Sequence, residues 1–209
     1  MNDATASKAA AAGRQVASRV PLIFIRHGET DWNREARLQG QQDIPLNGLG
    51  RRQAERNGRA LAGVLAAGDW RAIASPLSRA AETMRILLAA AGRPDVGFEI
   101  DPILKEISYG DWEGLTLAEV AHRDADGARA RERDKWSFVP PAGESYALGA
   151  ERVGAWLESL DGPSLVVAHG GILRILLHLL AGLPSHDAPY LATPQDRVVL
   201  FTRTAVFTI

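Results

Sequence analysis

The 209 residues contain no cysteine. Disulfide scaffolds, thiol nucleophiles, Cys-ligated zinc and iron–sulfur clusters are thereby excluded. Lysine is scarce too: of 24 cationic residues only 3 are Lys and 21 are Arg, so most positive charge comes as planar forks suited to phosphate and carboxylate. Nor is there an excess of one sign of charge. A formal net charge of −1 argues against a protein that grips nucleic acid through a broad basic face. No apolar run approaches the roughly 18 residues of a membrane span.

What remains is ordinary for a globular chain: 46% hydrophobic, 23% charged, 6% aromatic. The length suits one large domain or two small ones, and such a chain buries roughly 70% of its unfolded surface without a metal or disulfide staple. Residues 1–20 are set apart. Their Ala-rich stretch is interrupted by Lys8, Gly13, Arg14 and Arg19, so it lacks the unbroken apolar region of a secretory signal. We read it as an N-terminal extension to a single domain over residues 21–209, and expect the protein in the cytoplasm.

From Pro21 onward, short apolar runs alternate with helical patterns. Leu22–Ile25 and Leu165–Ala168 are continuous apolar runs, the pattern of strands buried on both faces. Ala72–Ala74, Val96–Ile100, Val198–Phe201 and Ala205–Ile209 read as further strands. Asn47 is positioned to cap a helix reaching Leu65, with Gly50, Ala54, Gly58, Leu61 and Leu65 on one stripe. A second helix carries Met84, Leu87, Leu88 and Ala91 inward and ends at Gly92. A third starts at Ser145 with Leu148, Val153, Trp156, Leu157 and Leu160 facing in. A fourth, Ile172–Leu180, is almost wholly apolar and stops at Gly182 and Pro184. The charged stretch Asp124–Lys135 is expected as an exposed helix or loop. The alternation predicts an α/β fold with a mostly parallel central sheet flanked by helices on both faces.

Such sheets bind ligands at the carboxyl ends of their strands. After Leu22–Ile25 come Arg26, His27 and Gly28. After Ala72–Ala74 come Ser75 and Arg79. After Val96–Ile100 comes a loop with Glu106, and after Leu165–Ala168 come His169, Gly170 and Gly171. Each alone has an ordinary structural reading. Together, two histidines, two arginines and a carboxylate leave four strand ends in one direction, and their chemistry agrees. A neutral imidazole attacks phosphorus and splits a hard displacement into two easier steps. The transferring phosphoryl group keeps its charge on equatorial oxygens, which two arginines, a protonated second histidine and helix N–H groups can bind without a metal. Glycine lets the backbone approach closely or adopt positive φ. Flanked by Ile103, Leu104 and Ile107, Glu106 is expected in an apolar setting that raises its pKa and suits it to protonate a leaving alkoxide. His122, His178 and His186 have no such context.

The stretch Leu22–Glu55 (LIFIRHGETDWNREARLQGQQDIPLNGLGRRQAE) resembles the start of the histidine phosphatase superfamily, the phosphoglycerate mutase-like proteins. The resemblance continues through SPLSRAAET (Ser75–Thr83), EISYGDWEG (Glu106–Gly114), PAGES (Pro141–Ser145) and VVAHGG (Val166–Gly171), in order. It implies His27 as phosphoryl-accepting nucleophile, Arg26, Arg79 and His169 as the rest of the phosphate pocket, and Glu106 as proton donor. It further implies phosphate or substrate contacts at Asn33, Gln39, Gly40 and Gly170, beside Gly28, with Trp32 and Trp112 packed at the mouth. It implies no metal and no cofactor, so Asp31, Asp43 and Asp111 are not metal ligands.

The Tyr109–Gly114 version and the compact segment before the second His resemble the phosphatase branch. In that segment Arg129, Arg131, Arg133 and Lys135 are interleaved with Glu132 and Asp134, which is no clean basic patch. The resemblance therefore implies a phosphomonoester hydrolase of the histidine acid phosphatase type, acting on a small phosphorylated metabolite. Mutase-type phosphoryl transfer stays open, as does a catalytically silent phosphate-binding protein on the same fold. Thr116–Pro141 is expected to build the leaving-group side of the pocket. Neither nucleic acid nor membrane is expected as a partner; monomer and homodimer are both open.

Overall fold

The computed structural model describes residues 19–208, so the expected extension lies outside them except for its last two positions. In chain order the elements are β1 (Leu22–Arg26), α1 (Asp31–Arg34), α2 (Gly48–Ala66), β2 (Arg71–Ala74), α3 (Ser78–Ala90), β3 (Glu99–Ile100), α4 (Leu117–Arg123), α5 (Ala125–Arg133), α6 (Tyr146–Glu158), β4 (Ser164–Ala168), α7 (Gly170–Ala181), β5 (Val198–Phe201) and β6 (Val206–Thr208). Short 3-10 turns lie at Pro102–Leu104, Gly110–Trp112 and Ala188–Tyr190.

The pleat of β1 explains why an unbroken apolar run is a strand here. Leu22 and Phe24 enter a core layer with Val153, Trp156, Ile172, Ile175 and Leu176 of α6 and α7. Ile23 and Ile25 point the other way, into a layer with Leu61, Leu65, Met84 and Leu87 of α2 and α3. Each such side chain, taken from water to full burial, contributes about 1.5–3 kcal/mol. Asn47 caps α2 as expected: its side chain accepts from the N–H groups of Leu49 and Gly50. The buried stripe is the expected one with Asn57 added.

The sheet order is β3-β2-β4-β1-β5-β6. β3, β2, β4 and β1 run parallel, while β5 and β6 close the far edge antiparallel. β4 thus slots between two strands that precede it. The carboxyl ends of β2, β4 and β1 stand side by side, with Ala74 opposite Val167 and Arg26 opposite Ala168.

Two expectations are corrected. The strand expected over Val96–Ile100 is only Glu99–Ile100, both residues exposed. Val96 and Phe98 pack against the core from a loop, so their apolar spacing does not need a ladder. Leu148 does not face in but is 47% exposed. In the turn it shares, Tyr146 and Gly149 are the buried residues.

Candidate active site

The strand register sets the site. The His27 N–H continues the β1–β4 ladder by donating to Ala168 O at 2.9 Å, and Ser75 N–H does the same toward Val167 O at 3.0 Å. His27, Ser75 and His169 are therefore neighbours by backbone pairing, before any side-chain contact is made. The His27 and His169 ring centroids lie 5.1 Å apart. Around His27 opens a cavity of about 120 Å³ lined by residues from five chain segments, among them Arg26, Asn33, Gln39, Gly40, Arg79, Glu106 and Gly170.

His27 is 2% exposed, and its Nδ1 is 2.7 Å from the Gly28 carbonyl. A carbonyl only accepts, so Nδ1 carries the proton and Nε2 keeps the lone pair. Burial holds the imidazole well below its ordinary 6.5, and the Arg79 and Arg26 charges push the same way. The ring is neutral at pH 7, the state in which Nε2 is a nucleophile.

Arg79 is fully buried. It sits in the first turn of α3, whose Ser78 N–H is capped from a distance by Asp43 Oδ1 at 2.7 Å. Its guanidinium is clamped by backbone carbonyls, Nη1 donating to Gln42 O at 2.6 Å and Nη2 to Gly40 O at 2.8 Å. Arg26 donates through Nη1 to Thr193 O at 2.6 Å. Burial lowers the pKa of both guanidiniums, that of Arg26 to about 10, while the Glu106 charge opposes the shift. Both stay charged at pH 7. Arg26 Nε, Arg79 Nε, Gln39 Oε1 and His169 Nδ1 are buried without a protein hydrogen-bond partner. Buried orphan donors are costly unless a ligand satisfies them. Two of these are guanidinium N–H groups at the cavity, so the arrangement fits a tetrahedral oxoanion.

Glu106 reaches the cavity from the loop after β3. Its Oε2 accepts from the Gly171 N–H at 3.0 Å and its Oε1 from the Ile107 N–H at 2.9 Å. A Cβ at Gly171 would lie 2.3 Å from Glu106 Oε1, which is why that position is glycine. The apolar setting expected for the carboxyl is corrected. Leu104 and Ile107 are buried in the core and Ile103 is exposed, while the carboxyl shares its cavity with Arg26, Arg79 and Arg174.

Other site expectations divide. Asn33, Gln39, Gly40 and Gly170 line the cavity with Arg26, His27, Arg79 and Glu106. Asn33 Oδ1 is engaged by Thr30 N–H and by Gln195 Nε2 at 2.8 Å. Gly28 is not on the wall: its N–H donates to Thr83 Oγ1 at 3.0 Å, and a Cβ there would meet Gly50 O at 2.2 Å. None of Gly28, Gly170 and Gly171 has positive φ; close approach, not handedness, selects glycine. α7 begins at Gly170, so the Gly171 N–H is engaged by Glu106 rather than open to an anion.

His169 is completely buried and packs against His27 instead of lining the cavity. Its Nε2 meets Ser75 Oγ at 2.7 Å. Burial, then the Arg79, His27 and Arg26 charges, hold it well below 6.5, so the ring is neutral at pH 7 rather than the expected imidazolium. Trp32 and Trp112 do not line the cavity. Trp112 is 3% exposed and stacks on Phe138 with centroids 5.1 Å apart.

The segment 116–141 contributes no residue to the wall. The rest of the wall comes from Arg37, Leu38, Tyr109, Arg174 and Thr193, which the sequence reading missed. Arg174 had a signal: it is the lone Arg in an apolar helix. It donates to Leu191 O at 2.8 Å and to the Tyr146 hydroxyl at 3.2 Å. Among the described residues no group of three or more His, Asp or Glu could hold a metal ion, and no helix is long and apolar enough to cross a membrane.

Comparison with known proteins agrees with this geometry. The profile of the Histidine phosphatase superfamily (branch 1) matches residues 22–205. The chain is 37% identical to a glucosyl-3-phosphoglycerate phosphatase of Mycolicibacterium vanbaalenii, over 81% of this chain and 78% of that one. It is 36% identical to a 2,3-bisphosphoglycerate-dependent phosphoglycerate mutase of Methylocella silvestris, over 80% and 84%. Among solved structures, a mycobacterial glucosyl-3-phosphoglycerate phosphatase complexed with VO3 superposes with a TM-score of 0.73 at 31% identity, covering 90% of this chain and 97% of that one. The alpha-ribazole phosphatase from Shigella flexneri gives 0.75 at 27% identity, covering 87% and 89%.

Proposed function

The chain belongs to the histidine phosphatase superfamily, and from that premise we propose that it is a phosphomonoesterase hydrolysing a small phosphorylated metabolite through a phosphohistidine on His27, with no metal. The observation that carries the proposal is the fixed tautomer of a buried, neutral His27 at the floor of an arginine cradle with orphan donors. That a similar phosphatase is complexed with VO3 supports an oxoanion ligand.

In this reading Nε2 of His27 attacks phosphorus and the ester P–O bond breaks. The equatorial oxygens take donors from Arg26 and Arg79, and the Gly170 amide stands at the rim. Glu106, having first taken up a proton from solvent, passes it to the leaving alkoxide. Water then attacks the phosphohistidine, its proton passing to Glu106, and the N–P bond breaks to restore the imidazole and release inorganic phosphate. A dianion arriving beside His169 favours the imidazolium that burial and the nearby cations disfavour, so His169 gains its proton with the substrate.

Phosphatase and mutase relatives are equally similar in sequence, so identity does not choose between them. A mutase must shield its phosphohistidine from water. Here segment 116–141, the candidate shield, adds nothing to the cavity wall, which favours hydrolysis. The test is an alkali-quenched single turnover in EDTA with an alkyl phosphate. An acid-labile phosphoryl group on His27 and stoichiometric free phosphate are expected. Net transfer to a second hydroxyl with little free phosphate would select the mutase, and loss of turnover restored by a divalent ion would reject the metal-free route.

A further inference from the structure

Glu113 lies outside the cavity lining, yet its Oε1 collects three donors from two loops. Gln41 N–H donates at 2.9 Å, Tyr109 N–H at 3.1 Å and Ser108 Oγ at 3.3 Å. The first belongs to the loop that clamps Arg79, the other two to the loop that carries Glu106. Gln41 itself lies between the two clamping carbonyls, Gly40 O and Gln42 O. Its side chain completes the link, Nε2 donating to Glu106 O at 3.1 Å. The Gly40 backbone presses so closely that a Cβ there would lie 2.0 Å from Glu113 Oε1 and 2.9 Å from Tyr109 N, at a φ of +50°. Beyond this contact the loops are zipped by Leu38 N–H to Leu115 O at 2.9 Å and Gly114 N–H to Leu38 O at 2.8 Å.

We propose that Glu113 is a positioning residue that fixes, through one carboxyl oxygen, both the carbonyl clamp on Arg79 and the loop presenting Glu106. The inference rests on the phosphomonoesterase reading given above. Its physical content is that phosphate gripping and leaving-group protonation are set by a single shared anchor. A displacement of about 1 Å at either group is worth up to about 10²-fold in rate. The Glu113 charge also supports the Arg79 guanidinium against its burial.

Three variants separate this from a merely structural role, each assayed well below its own melting temperature. Glu113→Ala is expected to weaken inorganic phosphate binding, read by calorimetry, about 10-fold, and to lower kcat/KM on an alkyl phosphate about 10²-fold. An activated aryl phosphate, which hardly needs a proton, should lose only the part due to Arg79. Glu113→Gln keeps an acceptor oxygen and should recover most of both losses. Gln41→Ala keeps the backbone link to Glu113 but not the bond to Glu106 O. It should change the alkyl-to-aryl ratio and leave phosphate affinity near that of the wild type. If Glu113→Ala loses equally on both substrates with phosphate affinity intact, the positioning role is wrong. If the wild type hydrolyses neither ester, the phosphomonoesterase reading fails instead, and phosphate affinity across the variants still decides whether Glu113 acts through Arg79.

Discussion

The oxoanion cradle and the segment 116–141 are built on opposite principles. The cradle hangs on the ends of β1, β2 and β4, and His27, Arg79, Ser75 and His169 are all almost wholly buried. Its cations are held by backbone carbonyls, which cannot swing away or titrate. In the segment, α5 has no buried residue. Its order comes from caps, such as Thr116 with Glu119 and Asp124 with the Gly127 N–H, from surface ion pairs such as Arg129 with Asp126, from a few apolar anchors such as the buried Val120 and the partly buried Trp136, and from Lys135. The Lys135 ammonium donates to Pro189 O at 2.5 Å and sits 4.5 Å over the Tyr190 ring. Chemistry that needs sub-ångström placement gathers at the strand ends of the sheet, while the segment that packs beside it carries, Lys135 apart, charges of ordinary surface value.

If that contrast is right, the largest effect in the molecule comes from His27→Ala, which should lower steady-state turnover by about 10³-fold or more as the covalent route disappears. Retention of a tenth of the wild-type rate would break the comparison outright. Next, Glu106→Gln should cost about 10²–10⁴-fold in kcat on an alkyl phosphate. On an activated aryl phosphate a burst of phenol followed by slow turnover is expected, because hydrolysis of the phosphohistidine then becomes limiting. Equal losses on both esters would remove Glu106 from the acid role.

The two regions should also separate by pH. Both site histidines have folded pKa values below the unfolded 6.5, so the unfolded chain binds more protons in acid. Stability contributed by each ring is complete above pH 6.5 and falls as pH drops below it, by roughly 1 kcal/mol per pH unit. Urea unfolding at pH 5.5 and 6.5 measures this, and inorganic phosphate should flatten the slope by favouring imidazolium. A flat profile without phosphate would mean the rings are not buried neutral. The segment acts at the other end. Burial, with Arg131 and Arg174 adding, lowers Lys135 to about 7, outweighing the carbonyl and ring that favour its charge. Stability should therefore climb from about pH 7 toward the lysine's unfolded value near 10.4. Lys135→Met should abolish that alkaline rise and leave the acid limb in place.

The smallest effect belongs to the surface of α5. Arg129→Ala, removing a pair whose side chains are 60% and 96% exposed, should change unfolding free energy by less than about 0.5 kcal/mol and turnover by less than about twofold. A tenfold change in turnover would show that the segment reaches the reaction after all.

The amino-acid sequence by itself determined the layers and the chemistry. Short apolar runs bounded by turn residues and rich in β-branched side chains gave the buried strands Leu22–Ile25 and Leu165–Ala168, the longer apolar run Ile172–Leu180 gave a buried helix, and Asn47 with a 3.6-residue stripe gave α2. Residues placed just after strands share one edge of a parallel sheet, so Arg26, His27, Arg79, Glu106, His169 and Gly170 were legible without coordinates. Only the tertiary structure decided which groups line the cavity and in what protonation state. Strand order puts β4 beside β1 and so buries His169 behind His27. The Gly28 carbonyl chooses the His27 tautomer, and Thr83 engages the Gly28 N–H. Arg37, Tyr109, Arg174 and Thr193 meet from segments far apart in the chain. Local pattern encodes burial, because burial repeats with the period of the element. Facing across a cavity has no period, and it is fixed by how separate elements pack.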